Sequence, residues 1–368
     1  MKSAVFTEQG VEEFTALEIK EILKKPSIIT EKVVFFEADA NEICTLAYNA
    51  HSALNVIGVI GECSVNNNLE ESIVSIKQIL NTNAVSAIKG KTFRVNCIRE
   101  GAHDYSSQDI ASGVGEIIAQ LVGSKVSLVQ PDCVVLVYIN NSRCLTGIDF
   151  AGFDLSKRDY KVFSHPSTLS AITAYSLMRF SGYKKNGVLL DPFCGAGTIP
   201  IEAALFATGI SPHFFKKEKF ICKIPKDKRI TPISKESIIG YDNQLRFITS
   251  SRKNAAIAGV DKYITFSKVD VEWLDTKISK GSVDKLVTHP PSPSKTTGEK
   301  ELQNLYREFF YQADFVLTKD GIIAVCLQNS MLLKKMLLES ENFLLVSEKS
   351  VWQGKQKFDF LRIKRKNN

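Results

Sequence analysis

Five short apolar runs in the second half of the chain predict β-strands. Each run is followed by a polar residue or a glycine turn, as expected where buried strands end. Amphipathic patterns between the runs predict helices over residues 199–205, 245–258 and 303–317. Strands that alternate with helices favour an α/β fold with a mostly parallel sheet. The five runs cover residues 188–191, 238–242, 263–269, 285–288 and 321–327.

The first 60 residues carry a different pattern. Apolar runs at 4–7 and 33–36 predict strands, and amphipathic stretches at 11–23 and around Leu46 and Tyr48 predict helices. This β-α-β-α order suggests a small ferredoxin-like domain of the α+β class. A chain of 368 residues is long enough for two or three domains, each with its own core.

A glycine turn after the first of the five runs is the most informative short motif. Asp191 precedes a loop that contains Gly195 and Gly197 and leads into a helix at Thr198. Glycines in such a loop allow positive φ and let the backbone approach a ligand. A dinucleotide site would have a third glycine where Pro200 stands, and an Asp before the glycines would repel a pyrophosphate. The loop therefore suits a ligand with a cationic end and no phosphate, such as S-adenosylmethionine; the alternative is an ordinary βα turn without a ligand.

Carboxylates follow two further strand-like runs. Asp242 ends the run at 238–242, and Asp270 follows the run at 263–269. Because the carboxyl ends of parallel strands meet at one edge of a sheet, we expect both side chains to lie near the glycine turn. Asp242 is the candidate to accept hydrogen bonds from both ribose hydroxyls of a nucleoside, and Asp270 from an adenine amine.

These segments together resemble a class I RNA guanine methyltransferase. The resemblance rests on four motifs and on residues 164–169, which are similar to an H-P-A-x-L segment of that family. The motifs are DPFCGAGTIPIEAA at 191–204, GYDNQ at 240–244, KVD at 268–270 and a D-x-x-x-T-x-P-P element at 284–291.

The first half of the chain independently resembles a THUMP domain, a module that binds RNA. The segments that carry this resemblance are residues 93–103, 107–110, 130–132 and 146–149. The chain as a whole therefore resembles the THUMP-containing tRNA guanine-N2 methyltransferases, over nearly all of its 368 residues.

The resemblance implies a domain order, a cofactor and a partner. It implies a ferredoxin-like domain at 1–60, a THUMP domain at 61–150, a linker at 151–164 and a Rossmann-like methyltransferase domain at 165–368. It also implies S-adenosylmethionine as the cofactor and tRNA as the substrate, with the THUMP domain docking the acceptor end. The cofactor residues that it implies are His165, Asp191, Phe193, Gly195, Gly197, Thr198, Asp242 and Asp270.

The catalytic element departs from the family pattern. In the resembled family an Asp or Asn precedes two prolines and an aromatic residue. Its side-chain oxygen and a proline carbonyl accept hydrogen bonds from the guanine amine, while the ring stacks on the flipped base. Here the catalytic candidates are His289, Pro290 and Pro291, and Ser292 replaces the aromatic residue. A neutral imidazole offers one nitrogen acceptor, so His289 is the candidate to replace the lost oxygen.

Two hypotheses of different classes follow from this departure. In the first, the chain methylates a guanosine of tRNA, and the base stacks elsewhere, on Phe193, His165 or Phe214. In the second, the chain is a non-catalytic THUMP-containing tRNA-binding protein with a degenerate methyltransferase site. A nucleotide-binding oxidoreductase is a more distant third hypothesis, which the glycine turn disfavours.

Charge is distributed unevenly between the two halves. Residues 1–164 carry a net charge of −5, and residues 165–368 carry +12. A basic catalytic half fits a polyanionic substrate such as RNA. The densest cluster lies at 211–235, here called the basic segment, and we expect it near the mouth of the nucleotide site. The candidates for RNA contact are Lys216, Lys217 and Lys219 in the basic segment and Lys91, Arg94 and Arg99 in the first half.

Other features exclude several classes of protein. No apolar run is long enough to span a membrane, and the first residues lack the pattern of a signal peptide. The eight cysteines are scattered without a Cys-x-x-Cys pair, so we expect reduced thiols and no metal site. We therefore predict a cytoplasmic monomer that binds tRNA and does not bind a membrane.

Overall fold

A computed structural model describes residues 1–165, 168–224, 226–227, 229–293 and 298–366. Pro166 and Ser167 of the segment at 164–169, and Pro225 and Lys228 of the basic segment, lie outside the described residues. The chain builds two seven-stranded sheets, one in each half. Over the described residues, no helix combines the length and the apolar character that a membrane span requires.

The first sheet contains residues from both predicted N-terminal domains. Its strand order is β2-β3-β1-β4-β7-β6-β5, and all neighbours are antiparallel except β5 and β6. The boundary predicted at residue 60 falls inside β4, which pairs with β1 on one side and β7 on the other. The elements are β1 (Lys2–Phe6), α1 (Glu12–Leu23), β2 (Ser27–Thr30), β3 (Val33–Glu37), α2 (Ala40–Asn49), β4 (Asn55–Ser64), α3 (Leu69–Ile79), β5 (Phe93–Glu100), α4 (Ser107–Val122), β6 (Cys133–Asn140) and β7 (Arg143–Asp149).

Alternation along the strands divides the core of this half between two faces. Val5 packs with α1 and α2, while its neighbours Ala4 and Phe6 point to the opposite face, as the period of two requires. Helices α3 and α4 cover β5 and β6 through a separate cluster. On the opposite face the rings of Phe6 and Tyr138 meet with centroids 4.8 Å apart.

The second sheet has the order β10-β9-β8-β11-β12-β14-β13, and its first five strands are parallel. All five strands predicted for this half are present. The order reverses between β8 and β11, and such a reversal is where open α/β sheets bind ligands. The elements are α5 (Ala171–Phe180), β8 (Leu189–Asp191), α6 (Thr198–Thr208), β9 (Ile238–Asp242), α7 (Leu245–Ile257), β10 (Thr265–Lys268), α8 (Leu274–Lys277), β11 (Val283–Thr288), α9 (Glu299–Val316), β12 (Leu317–Leu327), α10 (Met331–Glu339), β13 (Phe343–Gln353) and β14 (Gln356–Arg365).

A buried ionic cluster joins the two halves. Glu202 on α6 is fully buried and accepts hydrogen bonds from Arg158 Nε at 3.0 Å, Tyr160 Oη at 2.9 Å and His51 Nδ1 at 2.7 Å. Burial opposes the charge of this carboxyl, but Arg158 and His51 lower its pKa to about 2. Because His51 belongs to the first half and Arg158 to the linker, the charge of Glu202 fixes three parts of the chain together.

Candidate functional site

The ends of four parallel strands converge at one edge of the second sheet. Asp191 ends β8, and Asp242 ends β9 two residues beyond the position opposite Asp191. Asp270 follows β10, and His289 follows β11 directly. The structure therefore brings the predicted carboxylates and the predicted catalytic loop to one edge of the sheet, with Asp191 and His289 on either side of the switch point between β8 and β11.

The glycine loop is built for two different requirements. Gly195 has φ of 51° with open space around it, so its conformation alone calls for glycine. Gly197 has φ of 85°, and a Cβ there would lie 2.8 Å from Ser251 Cβ on α7. Gly197 thus allows α6 to start close against α7, which places Thr198, a buried residue, at the first turn of α6.

Asp242 connects the glycine loop to the end of β9. Its Oδ2 accepts a hydrogen bond from Gly195 N at 3.1 Å, and its Oδ1 accepts one from Gln244 N at 2.9 Å. Burial raises the pKa of this carboxyl. Carboxylate oxygens accept more than one hydrogen bond each, so Asp242 retains capacity for ligand hydroxyls.

Asp191, one of the predicted cofactor residues, is buried at the end of β8. Its carboxyl is 1% exposed, and Oδ1 accepts hydrogen bonds from Thr288 Oγ1 at 2.6 Å and Phe193 N at 3.2 Å. Burial raises its pKa to about 7. The structure gives Asp191 an internal role, in which it fixes the glycine loop to the end of β11; direct contact with a cofactor stays a prediction.

The remaining cofactor candidates surround the same edge. The Phe193 ring packs against Phe309 with centroids 5.9 Å apart, and the His165 ring meets Phe247 of α7 edge-on at 5.2 Å. Asp270 accepts a hydrogen bond from Asn243 Nδ2 at 3.2 Å. The Phe193 ring therefore packs on α9, and the His165 ring packs on the first turn of α7.

His289 is held in a defined tautomer. Its Nδ1 lies 2.6 Å from the carbonyl oxygen of Cys326 on β12, and a carbonyl can only accept, so Nδ1 carries the proton. In the neutral ring, Nε2 is then the acceptor. The ring also meets Phe358 of β14 edge-on, with centroids 6.0 Å apart.

The two prolines after His289 differ in their surroundings. Pro290 is buried, whereas Pro291 is exposed and its carbonyl accepts a hydrogen bond of 2.5 Å from Tyr306 Oη on α9. The hydroxyl of Ser292 is buried and has no hydrogen-bond partner within the described part of the chain. Among the described residues, no group of three or more His, Cys, Asp or Glu side chains is placed to hold a metal ion.

Comparison with known proteins identifies the family. Residues 158–357 match the UPF0020 family, described as an RMKL-like methyltransferase domain, and residues 70–149 match the THUMP domain. The chain belongs to the UPF0020 methyltransferase family. The predicted family and fold class are therefore confirmed.

Individual proteins resemble this methyltransferase over its whole length. It is 28% identical over 366 residues to the tRNA (guanine(6)-N2)-methyltransferase of Methanocaldococcus jannaschii, with 94% of this chain and 95% of the relative covered. TrmN from Thermus thermophilus has the same fold, with a TM-score of 0.73, 21% identity and 99% of each chain covered. SMU.472, solved in complex with SAH, also has this fold, with a TM-score of 0.77, 17% identity, and 100% of this chain and 98% of that chain covered.

The basic segment does not lie at the mouth of the site. Helix α6 starts at the cofactor edge and runs back along the sheet, so residues after Thr208 begin at the opposite edge. Thr231 N donates to Thr208 O at 2.9 Å, which shows that the segment returns there before β9. Phe214 lies in this segment and is therefore remote from His289, which contradicts its suggested role in stacking on the base.

The three lysine candidates of the basic segment have different surroundings. Lys216 is only 8% exposed, and its ammonium is paired with Asp159 Oδ1 at 2.9 Å, so it is not available for a phosphate. Lys217 is paired with Asp227 at 2.8 Å. Lys219 is exposed. RNA contact by the three lysines stays a prediction, which the burial of Lys216 disfavours and the exposure of Lys219 favours.

The candidates in the first half do not form one patch. Arg94 and Arg99 have opposite parity on β5 and project from opposite faces of the sheet. Arg94 donates to the Leu128 carbonyl at 3.0 Å, and Arg99 lies 3.1 Å from His103 Nδ1. Lys91 is exposed in the turn before β5. Arg94 and Arg99 therefore do not share one face of the sheet, and contact of the three residues with RNA stays a prediction.

Proposed function

We propose that this protein transfers the methyl group of S-adenosylmethionine to the exocyclic amine of a guanosine in tRNA. The observation that carries the proposal is the placement of His289, Pro290 and Pro291 directly after β11, at the switch point beside the glycine loop. The name of the Methanocaldococcus jannaschii relative supports the choice of guanine N2 and of tRNA.

The residues at the edge of the sheet fit the cofactor. The Asp242 carboxylate can accept further hydrogen bonds, so it is available for the ribose hydroxyls. Asp270 follows β10, the strand beside β9, and its carboxylate can accept a hydrogen bond from the adenine amine. The loop at 193–197 offers its backbone through two glycines with positive φ. The bound cofactor supplies an electrophilic methyl group on a sulfonium centre.

The chain's own residues then activate the guanine amine. The lone pair of this amine is delocalised into the ring, so acceptors for its protons raise its nucleophilicity as the new bond forms. His289 Nε2 accepts one N–H, and the carbonyl of Pro290 is the candidate for the other, since that of Pro291 is engaged by Tyr306. When the methyl group leaves the cofactor's sulfur for the amine nitrogen, one amine proton would pass to His289 Nε2, while Nδ1–H keeps its bond to the Cys326 carbonyl.

The first half and the basic segment contribute RNA binding in this proposal. The THUMP domain docks the acceptor end, with Lys91 as an exposed contact, and Lys219 contacts a phosphate further along the RNA. The methylated guanosine is one of the acceptor stem. We expect the protein to act as a monomer in the cytoplasm.

A second candidate function rests on the changes at His289 and Ser292. Ser292 cannot stack on a base, and its buried hydroxyl lacks a partner in the described structure, as expected where an aromatic ring has been lost. The protein would then bind tRNA through its THUMP domain without modifying it. This hypothesis predicts tRNA binding with no methyl transfer.

One assay separates the two functions. The full-length protein is incubated with unmodified tRNA transcripts and tritiated S-adenosylmethionine, and the RNA is digested to nucleosides. The proposal predicts tritium in N2-methylguanosine from the acceptor stem. Tritium in a different nucleoside, or tRNA binding without any transfer from a full set of transcripts, would contradict it.

A further inference from the structure

A loop of the first half is seated directly on the β13–β14 hairpin of the methyltransferase domain. The carbonyl of Gln9 accepts a hydrogen bond of 2.9 Å from Trp352 N. Gly10 has φ of 87°, and a Cβ there would lie 2.4 Å from Ser350 O and 3.0 Å from Val351 Cα. Glycine is therefore required at position 10 both by its conformation and by its contact with the other half.

Side chains around the same hairpin add a second anchor. Gln353 Oε1 accepts a hydrogen bond from Ser170 N at 2.6 Å and lies 3.2 Å from Thr173 Oγ1. Thr173 Oγ1 lies at the same distance from Glu8 Oε2 in the loop of the first half. The tip of β13 is thus held between the start of α5 and the residues that flank Gly10.

Packing continues from this seat to the catalytic loop. Val351 lies opposite Phe358 in the β13–β14 ladder, and both are buried in one cluster with Val11 and Phe14 of the first half. The Phe358 ring meets the His289 ring edge-on, with centroids 6.0 Å apart. Three contacts therefore lead from the backbone of Gly10 to the imidazole.

The imidazole has its hydrogen-bond anchor on a neighbouring strand. Nδ1 donates to Cys326 O on β12, and Cys326 lies opposite Phe360 in the β12–β14 ladder. One anchor fixes the tautomer, and the Phe358 contact restricts the tilt of the ring. The hydrogen bond and the ring contact therefore tie the orientation of the imidazole to both β12 and β14.

We propose that the first half of the chain positions the catalytic histidine. The position is transmitted by the contact of Gly10 with β13 and by the contact of Phe358 with His289. Phe358 is a positioning residue, because it acts on the substrate only through the imidazole. The inference rests on the proposed function of His289 as the acceptor of the guanine proton. It implies that methyl transfer requires the first half even when RNA affinity is not limiting.

The test compares two glycine substitutions in the full-length protein. Gly10→Ala and Gly123→Ala both place an alanine at positive φ, but an added Cβ meets no atom within 4 Å at Gly123. Histidine-selective nitrogen NMR reports the His289 ring, with its signals assigned from a His289→Gln variant. We expect Gly10→Ala to shift the His289 signals and to lower kcat by on the order of 10- to 100-fold, with cofactor affinity unchanged. Gly123→Ala should leave both properties as in the wild type.

A second variant keeps the inference testable if the Gly10→Ala protein does not fold. Phe358→Leu removes the ring edge from His289 and leaves Gly10 and the residues against it, Ser350 and Val351, unchanged in sequence. We expect the same shift of the His289 signals and a similar loss of kcat. Unchanged His289 signals and kcat in a folded Phe358→Leu protein would overturn the inference. If the wild type methylates no tRNA, the proposed function fails, while unchanged His289 signals in Phe358→Leu would still refute the positioning.

Discussion

Thr288 Oγ1 donates a hydrogen bond of 2.6 Å to Asp191 Oδ1, and both residues are buried. Asp191 starts the glycine loop, and Thr288 is the residue before His289. The bond therefore connects the proposed cofactor loop to the segment proposed to accept the guanine proton. Their relative position is a property of β8 and β11 and does not depend on a flexible loop.

Replacement of Thr288 by valine tests the importance of this bond. Thr288→Val keeps the shape and removes the donor, which leaves the Asp191 carboxyl with one partner fewer. We expect kcat to fall by about 10-fold because His289 is displaced, and the free energy of unfolding to fall by about 1–3 kcal/mol. Steady-state kinetics and chemical denaturation measure both effects. Thr276→Val is the matched control, since that hydroxyl bonds to the Trp273 carbonyl at the surface. An unchanged kcat in Thr288→Val would refute the claim.

The raised pKa of Asp191 predicts a pH dependence of stability. Burial raises this pKa from 3.8 to about 7, so the folded state binds a proton that the unfolded chain releases near pH 4. The stabilisation is complete below pH 4 and is lost as pH rises through 7. Asp191→Asn keeps the oxygen that accepts both hydrogen bonds, so its free energy of unfolding should exceed that of the wild type at pH 8, by up to about 4 kcal/mol. The difference should shrink toward pH 5, and a difference that does not vary with pH would contradict the assignment.

Features that depend on a few neighbouring residues can be predicted from the sequence. Features that depend on the path of the chain through the fold cannot. The five strands and the glycine loop follow from apolar runs and turn residues, which act over a few positions. The basic segment lies at the opposite edge of the sheet from the one expected, because its position depends on the direction of α6. The boundary at residue 60 falls within β4 because strand pairing joins residues far apart in the sequence. The helical pattern at 199–205 does not predict that Glu202 joins the two halves, because His51 and Arg158 lie far from it in the sequence.

We expect the loss of the Glu202 charge to lower the free energy of unfolding more than the loss of charge at an exposed carboxylate does. Glu202→Gln removes the charge that balances Arg158, a side chain with no exposed surface, and such a buried charge without its partner costs about 3–5 kcal/mol. Glu21→Gln is the matched control, because Glu21 pairs with Arg179 but is 42% exposed. Thermal denaturation at pH 7 should show a large loss for Glu202→Gln and less than about 1 kcal/mol for Glu21→Gln. Equal losses would show that the cluster does not stabilise the junction.

Exposed and buried lysines of the basic segment should respond differently to salt. The triple variant Lys219→Ala, Lys223→Ala and Lys226→Ala removes three exposed cations. It should weaken tRNA binding and reduce the slope of log affinity against log salt by about 2–3, since fewer counterions are released. Lys216→Ala should lower stability and leave the slope unchanged, because its ammonium is paired with Asp159. A slope that changes with Lys216 alone would show that the pairing opens on RNA.

The central claim is that His289 accepts a proton of the guanine amine. Its most direct test is single-turnover methyl transfer by His289 variants at saturating cofactor and tRNA. The account predicts that His289→Ala lowers the rate by about 10- to 1000-fold and that His289→Asn retains or raises it, because asparagine supplies an oxygen acceptor. Cofactor affinity should be unchanged in both variants, since the proposed ribose acceptor is Asp242, at the end of another strand. An Ala variant as fast as the wild type would contradict the account and place the acceptor of the guanine proton elsewhere.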